Sequence, residues 1–294
     1  MILLYRYCFS SELLMLNEKI DLYEYFGLAR GSANGGYLTT FAVHATSELK
    51  PKLRPAMLVL PGGGYMFLSD RENEPIALEY MVKGYSSFVL TYSINAKYPV
   101  PLIEACMAII YIRENAEKYC VDRDHVAAIG FSAGGHLTAM LATISDEKEV
   151  KAVLGDKTAK AKPNAVVLSY PVATLGIRTH AGSRDVITGG DPELMERLSP
   201  EKRVDKNTVP AFIWHTFEDN CVPVENSLAL ASAYNKADVP FALHIFERGW
   251  HGLSLCNDNV SDQTEKDKAL ADVGKWFELS VDWLKSRGFE VKVK

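Results

Sequence analysis

Seven short runs rich in β-branched and apolar residues, mostly separated by helix-length segments, constrain this chain more than any other feature. They are Leu38 to Val43, Ala56 to Leu60, Ser87 to Tyr92, Val126 to Gly130, Ala165 to Tyr170, Ala211 to His215 and Phe241 to Glu247. Parallel strands need long crossover connections, and a helix that makes the crossover must pack back onto the sheet. The alternation therefore predicts an α/β fold, with a mainly parallel central sheet and helices on both faces. Helical spacing fills the gaps. Pro101 stands where a first helical turn tolerates proline, and Leu102, Ala105, Cys106, Ile109 and Ile110 follow on one face. Val273, Trp276, Phe277, Ser280 and Leu284 repeat that spacing near the end of the chain.

At 294 residues and 48% hydrophobic, the chain is long enough to bury a large core, and a single domain over 1–294 is expected. A polar segment between Pro171 and Val209 has one clear helix signal, Asp191-Pro192-Glu193, and reads as a small insertion over one end of the sheet (171–209). The 32 basic and 37 acidic residues are interspersed, so neither nucleic acid nor an anionic membrane is an expected partner. The mixed runs from Asp146 to Lys151 and from Asp262 to Lys268 read as solvated faces.

The opening Met1-Ile2-Leu3-Leu4-Tyr5-Arg6 has no basic lead-in or small-residue cleavage site, and no stretch reaches the roughly 18 apolar residues of a membrane span. Five cysteines, Cys8, Cys106, Cys120, Cys221 and Cys256, are odd in number and form no C-x-x-C pair. That pattern argues against a disulfide framework and a zinc site, and a reducing cytoplasm is the expected location.

The fourth run passes directly into Gly130-Phe131-Ser132-Ala133-Gly134-Gly135-His136. A strand that turns abruptly into a helix can present one hydroxyl at the sheet edge if the residues two before and two after are too small to clash, and Gly130 and Gly134 meet that need. G-x-S-x-G alone arises by accident about one time in ten in such a chain. Its meaning depends on context.

Serine needs a base within hydrogen-bond reach and a carboxylate to orient that base. Both arrive in the later loops. Glu218-Asp219-Asn220-Cys221-Val222-Pro223 follows the sixth run, and Gly249-Trp250-His251-Gly252 follows the seventh. His251, flanked by glycines, does not fit a periodic packing pattern. Asp219 could simply cap a helix, and Glu218 and, more weakly, Glu225 compete for the acid role. The order Ser132, Asp219, His251, each just past a strand, favours these three as the catalytic set. A fourth element is Pro61-Gly62-Gly63-Gly64-Tyr65 after the second run. Its glycines let backbone N–H groups converge, so Gly63, Gly64 and the amide of Ala133 are the expected oxyanion hole. His136, His215 and His244 read as structural, with His136 supporting the nucleophile's helix, and Cys106 and Cys221 as small buried hydrophobes.

PGGGY, GFSAGGH, the D-x-x-V-P at Asp219 and GWHG at His251 together resemble the α/β-hydrolase esterases. Within them, the chain is similar to the acetyl-xylan and feruloyl esterase-like sugar esterases related to hormone-sensitive-lipase-like carboxylesterases, from about residue 38 to 286. The resemblance implies a sheet of about eight strands and a serine carboxylesterase acting through an acyl-enzyme, without cofactor or metal. Its expected partner is a small-molecule ester of short acyl length, with an acetylated sugar among the candidates. Homodimerisation is left open. Lipase-like relatives usually begin the glycine motif with histidine, where this chain has Pro61, which moves the expectation away from lipases. Tyr65 and Met66 are expected near the acyl group, and Trp250 beside the histidine. Arg178, His180 and Arg184 make the insertion polar, which suits a polar alcohol. A serine peptidase or amidase on the same scaffold, and a non-catalytic binding relative, are the alternatives.

Overall fold

The computed structural model describes residues 15–43, 52–261, 270 and 272–293. The opening hexapeptide, Cys8 and the charged run from Asp262 to Lys268 lie outside them. Ten strands form the sheet among the described residues: β1 (Met15–Leu16), β2 (Lys19–Asp21), β3 (Tyr37–Val43), β4 (Lys52–Leu60), β5 (Ser86–Thr91), β6 (Val121–Phe131), β7 (Ala165–Ser169), β8 (Ala211–Thr216), β9 (Phe241–Phe246) and β10 (Lys292–Val293). Eight of them lie on one continuous path, β1-β3-β5-β4-β6-β7-β8-β9, while β2 pairs with β3 and β10 with β4. Every neighbour from β5 to β9 is parallel, and β3 joins β5 antiparallel. This is the α/β-hydrolase architecture that the motifs led one to expect.

The central strands are apolar on both sides because helices cover both faces. In β4, Ala56, Leu58 and Leu60 enter one core cluster, with Leu102 and Ile109 of the helix Val100–Glu114 and Leu137 and Met140 of the helix Ser132–Ile144. Met57 and Val59 point the other way, into a cluster with Tyr80 of the helix Glu74–Val82 and Trp276 and Val281 of the helix Trp276–Lys285. Side chains alternate because the strand period is two. The predicted helical face at Leu102, Ala105, Cys106, Ile109 and Ile110 is fully buried, and so is Glu104 beside it. That carboxylate accepts hydrogen bonds from the Ser93 amide and hydroxyl and from Tyr23, fixing the loop after β5.

The insertion forms the helices Ala181–Thr188 and Pro192–Arg197 and a 3-10 turn at Pro200–Lys202. Asp191 caps the second helix through its carboxylate, which accepts from the Glu193 and Leu194 amides, as the sequence suggested. Asn226 ties the insertion down by accepting from the Ala173 and Thr174 amides and donating to the Arg178 carbonyl.

Register brings the loops together. Leu60 pairs with Gly130 and Phe131 with Ser169, so the glycine loop, the Ser132 turn and the end of β7 emerge side by side. Close approach of backbones makes the turn possible: a Cβ on Gly134 would sit 2.1 Å from the Leu60 carbonyl oxygen, and one on Gly130 would sit 2.2 Å from the Gly134 carbonyl oxygen. The helix cannot lie this close to β4 with any larger residue at these two positions. Gly134→Ala is expected to destabilise the fold by about 2 kcal/mol or more through overpacking. Urea unfolding reads this, and a wild-type midpoint would show that the two backbones are not in contact.

Candidate active site

Ser132 is the first residue of its helix and holds φ at 52°, a left-handed conformation that costs a non-glycine residue energy. The strain turns its hydroxyl out of the sheet edge. Nε2 of His251 lies 2.7 Å from Ser132 Oγ, and Nδ1 of the same ring lies 2.6 Å from Asp219 Oδ2. Asp219 is acceptor-only when ionised, so Nδ1 carries the proton and Nε2 is free to accept from the serine. The three residues therefore form one hydrogen-bonded chain.

Asp219 is held from several sides. Its Oδ1 accepts from the Cys221 and Val222 amides, and Oδ2 accepts from His215 as well as His251. Burial alone would raise its pKa, but the hydrogen bonds from the two histidines, the His251 charge and the Val222 amide outweigh it and hold the carboxyl well below the usual range. His215 is buried. Its Nε2–H is shared between Asp219 and the Val222 carbonyl, while Nδ1 pairs with Ser227. The sequence reading made His215 structural but missed that it touches the acid. Glu218 points elsewhere and accepts from the Gly249 amide, and Glu225 pairs with Arg178 at the surface. Asp219, of the three acids, is the one placed at His251.

The glycine loop curls beside the serine. Gly63 (φ 128°) and Gly64 (φ 65°) occupy conformations closed to most side chains, and the Gly63 carbonyl closes the turn by accepting from the Met66 and Phe67 amides. Among the described residues no acceptor takes the Gly63 or Gly64 N–H. Ala133, in the first helical turn, likewise has no intrahelical acceptor. Beside them opens a cleft of about 510 Å³, lined by Gly63, Gly64, Met66 and Phe67 on one side and by Ser132, His180 and His251 on the other.

Two sequence expectations are corrected. Tyr65 is fully buried and away from the cleft: its positive φ turns the ring inward, where its hydroxyl meets His136 Nδ1 at 2.8 Å. Cys221 is exposed and lines the cleft, because the turn that presents two amides to Asp219 leaves its side chain outside. Met66 does line the cleft, and Trp250 stands partly exposed next to His251 without reaching the lining. Of the three polar groups in the insertion, Arg178 and Arg184 are spent on Glu225 and Asp185, and only His180 faces the cleft. His180 caps its helix by accepting the Ser183 N–H at Nδ1, so a neutral ring carries its proton on Nε2. Burial and the neighbouring His251 charge push its pKa down, favouring that neutral form.

Sequence reasoning missed Glu72 and Tyr170. They contact the site through backbone and hydroxyl groups that no linear motif reports, and His251 rests edge-on against the Tyr170 ring at 5.0 Å.

Residues 43–234 match the BD-FAE family. The chain belongs to that family. It is 41% identical over 213 residues to the endo-1,4-beta-xylanase B of Butyrivibrio fibrisolvens, across 70% of this chain and 33% of that protein. It is 28% identical over 230 residues to an acetylxylan esterase of Xylanibacter ruminicola, across 75% of this chain and 45% of that protein. It thus spans from a third to under half the length of these two curated relatives. Among solved structures it resembles an acetyl ester-xyloside bifunctional hydrolase from Caldicellulosiruptor lactoaceticus, with 34% identity, a TM-score of 0.79, and coverage of 95% of this chain and 99% of that one. This member of the BD-FAE family has the α/β-hydrolase fold. No helix among its described residues is long and apolar enough to cross a membrane.

His136 supports the helix that begins at Ser132, with Nε2 donating to the Leu198 carbonyl of the insertion and Nδ1 accepting from Tyr65. Burial pushes its pKa down to about 4, against the opposing pull of the Leu198 hydrogen bond. A histidine depressed in the folded state contributes its full stability above the unfolded value, near 6.5, and loses it as pH falls toward the folded value. Wild type is expected to lose about 2 kcal/mol through this residue between pH 7 and pH 5, and His136→Gln to lose correspondingly less. Denaturant titrations of both proteins at the two pH values test this, and equal losses would contradict it.

Proposed function

We propose that the chain is a serine carboxylesterase that removes short acyl groups, acetyl above all, from a polar alcohol such as a sugar hydroxyl. The hydrogen-bonded chain Ser132–His251–Asp219 opening into the cleft carries this reading. His251 takes the Ser132 proton as Oγ attacks the ester carbonyl. The oxyanion that forms lies within the reach of the N–H groups of Gly63, Gly64 and Ala133, which have nothing else to bind. Collapse of this intermediate expels the alcohol, to which His251 returns the proton, and leaves an acyl-serine. Water, deprotonated by His251, then releases the acid and restores the serine. Throughout, Asp219 fixes the imidazole tautomer and offsets its positive charge, and His215 and two amides fix Asp219 in turn.

The substrate class rests on the lining of the cleft and on the relatives. Met66, Phe67 and Leu68 give a short apolar wall, whereas Asp70, Arg71 and His180 give the rest of the mouth polar character. An acyl group of a few carbons suits the first, and a hydroxyl-rich alcohol the second. Relatives named for acetylxylan and acetyl ester-xyloside hydrolysis point the same way.

Ser132→Ala should retain the wild-type melting temperature and lower kcat on p-nitrophenyl acetate by roughly four to six orders of magnitude; near-normal turnover would overturn the assignment. With p-nitrophenyl esters of rising chain length, kcat/KM should peak at acetate or propionate and fall at least about tenfold by octanoate. Acetylated xylo-oligosaccharides should release acetate. A preference for long acyl chains, or for an anilide over its matched ester, would favour a lipase or an amidase instead.

A further inference from the structure

Glu72 closes the 3-10 turn Asp70–Glu72 that follows the glycine loop, and it is buried to 3% exposure at the edge of the cleft. Every hydrogen bond its carboxylate makes is one it accepts. Oε2 takes the Gly62 N–H at 2.8 Å, and Oε1 takes the Tyr170 hydroxyl at 2.6 Å. The Tyr170 oxygen in turn accepts the Ser254 N–H at 3.0 Å, three residues past His251. Arg71 strengthens the connection by donating to the Gly252 carbonyl at 2.8 Å, and its own carbonyl accepts from the Ser254 hydroxyl.

Three loops that the topology delivers separately are therefore joined at one carboxylate. Gly62 immediately precedes the two glycines whose amides face the oxyanion position, Tyr170 directly follows β7, and residues 252–254 follow the histidine. The joint is tight: a Cβ on Gly62 would lie 2.6 Å from Glu72 Oε2 and 3.0 Å from Ser132 Cβ. Ser132, Tyr170 and Ser254 all hold positive φ, so backbone strain concentrates around this one group. Strained residues persist only where their surroundings over-determine them, and Glu72 supplies much of that determination.

Resting on the esterase reading above, we infer that Glu72 is a positioning residue of the reaction. Its buried carboxylate ties the oxyanion loop to the segment carrying the general base, and its negative charge favours the imidazolium that His251 becomes. The groups facing His251 or its cleft are Asp219 from the loop after β8, Ser132 from its helix, Tyr170 from the loop after β7, Asp70, Arg71 and Glu72 from the 3-10 turn, His180 from the insertion and Cys221 across the cleft. Among the described residues Asp219 is the carboxylate hydrogen-bonded to this ring, and Glu72 acts on it through charge, without a hydrogen bond. Burial pushes the Glu72 carboxyl up, while Tyr170, the Gly62 amide and the charges of His251 and Arg71 oppose that rise. A charge kept in a site this dry acts on the neighbouring imidazole with little screening.

Glu72→Gln removes the charge and places an N–H₂ group against either the Gly62 amide or the Tyr170 hydroxyl. The experiment compares wild type, Glu72→Gln and Ser132→Ala on p-nitrophenyl acetate from pH 5 to 9, with thermal melts as the folding control. For Glu72→Gln, kcat should fall roughly ten- to a hundredfold with KM within about twofold. The acid limb of kcat/KM should move to lower pH by about half a unit or more, because the imidazolium has lost a nearby anion. A kcat within threefold of wild type, a loss carried by KM, or an acid limb that stays in place would each overturn the inference. Should Glu72→Gln lack a cooperative melt, Tyr170→Phe tests the same link: kcat should fall about fivefold or more with the limb unmoved, since the Glu72 charge remains. Wild-type kcat in that variant would also overturn the inference. Near-normal turnover by Ser132→Ala would sink the esterase mechanism itself, which separates that failure from this one.

Discussion

The structure depends on how closely the helix beginning at Ser132 crosses β4. Backbone meets backbone there, with Gly134 against the Leu60 and Pro61 carbonyls and Gly130 against Gly134. No side chain fits between them. The strand-to-helix turn is consequently so sharp that Ser132 must adopt a positive φ, and this conformation lifts its hydroxyl clear of the sheet. Packing and chemistry share one cause. The same closeness sets the glycine loop after β4 beside Ser132, because Leu60 and Gly130 are paired neighbours in the sheet.

From that crossing, the remainder of the site follows the order of the sheet. The loops after β4, β6, β7, β8 and β9 contribute Gly63 and Gly64, Ser132, Tyr170, Asp219 and His251 respectively. Loops could not hold a geometry good to tenths of an ångström unaided, and buried polar groups do much of the holding. Glu104, Glu72, His215 and His136 are each almost completely buried and hydrogen-bonded; Glu104, Glu72 and His136 reach partners distant in sequence, and His215 braces Asp219 in the loop that follows its own strand. Satisfied networks of this kind rigidify a site, whereas leaving one member unpaired costs the full desolvation of that group.

The parts legible in the sequence were those written in local pattern. All seven predicted runs are strands, with ends displaced by at most five residues, because β-branched runs between helix-length segments have few other solutions. Gly130, Ser132 and Gly134 announced the turn, since only glycine satisfies its contacts. Strands β1, β2 and β10 were not foreseen, as two or three residues are too few to show a period. Tyr65 was misplaced because the residue after three glycines takes an unusual φ that no pattern encodes, and it buries its ring against His136. Cys221 was read by its residue type, while its exposure follows from the turn that serves Asp219. Glu72 was illegible for a deeper reason: its meaning lies in Gly62, Tyr170 and Ser254, which meet only when the five strands from β4 to β9 along the sheet are in register.

The account stands on Ser132 being a nucleophile activated by His251, and covalent labelling tests that claim without any assumption about the alcohol. Incubation with a small alkyl organophosphonate, followed by intact-mass measurement and peptide mapping, should give one adduct per chain on Ser132, formed at least about a thousandfold more slowly in His251→Ala. Failure to label, or an adduct on another residue with Ser132 unmodified, would contradict it.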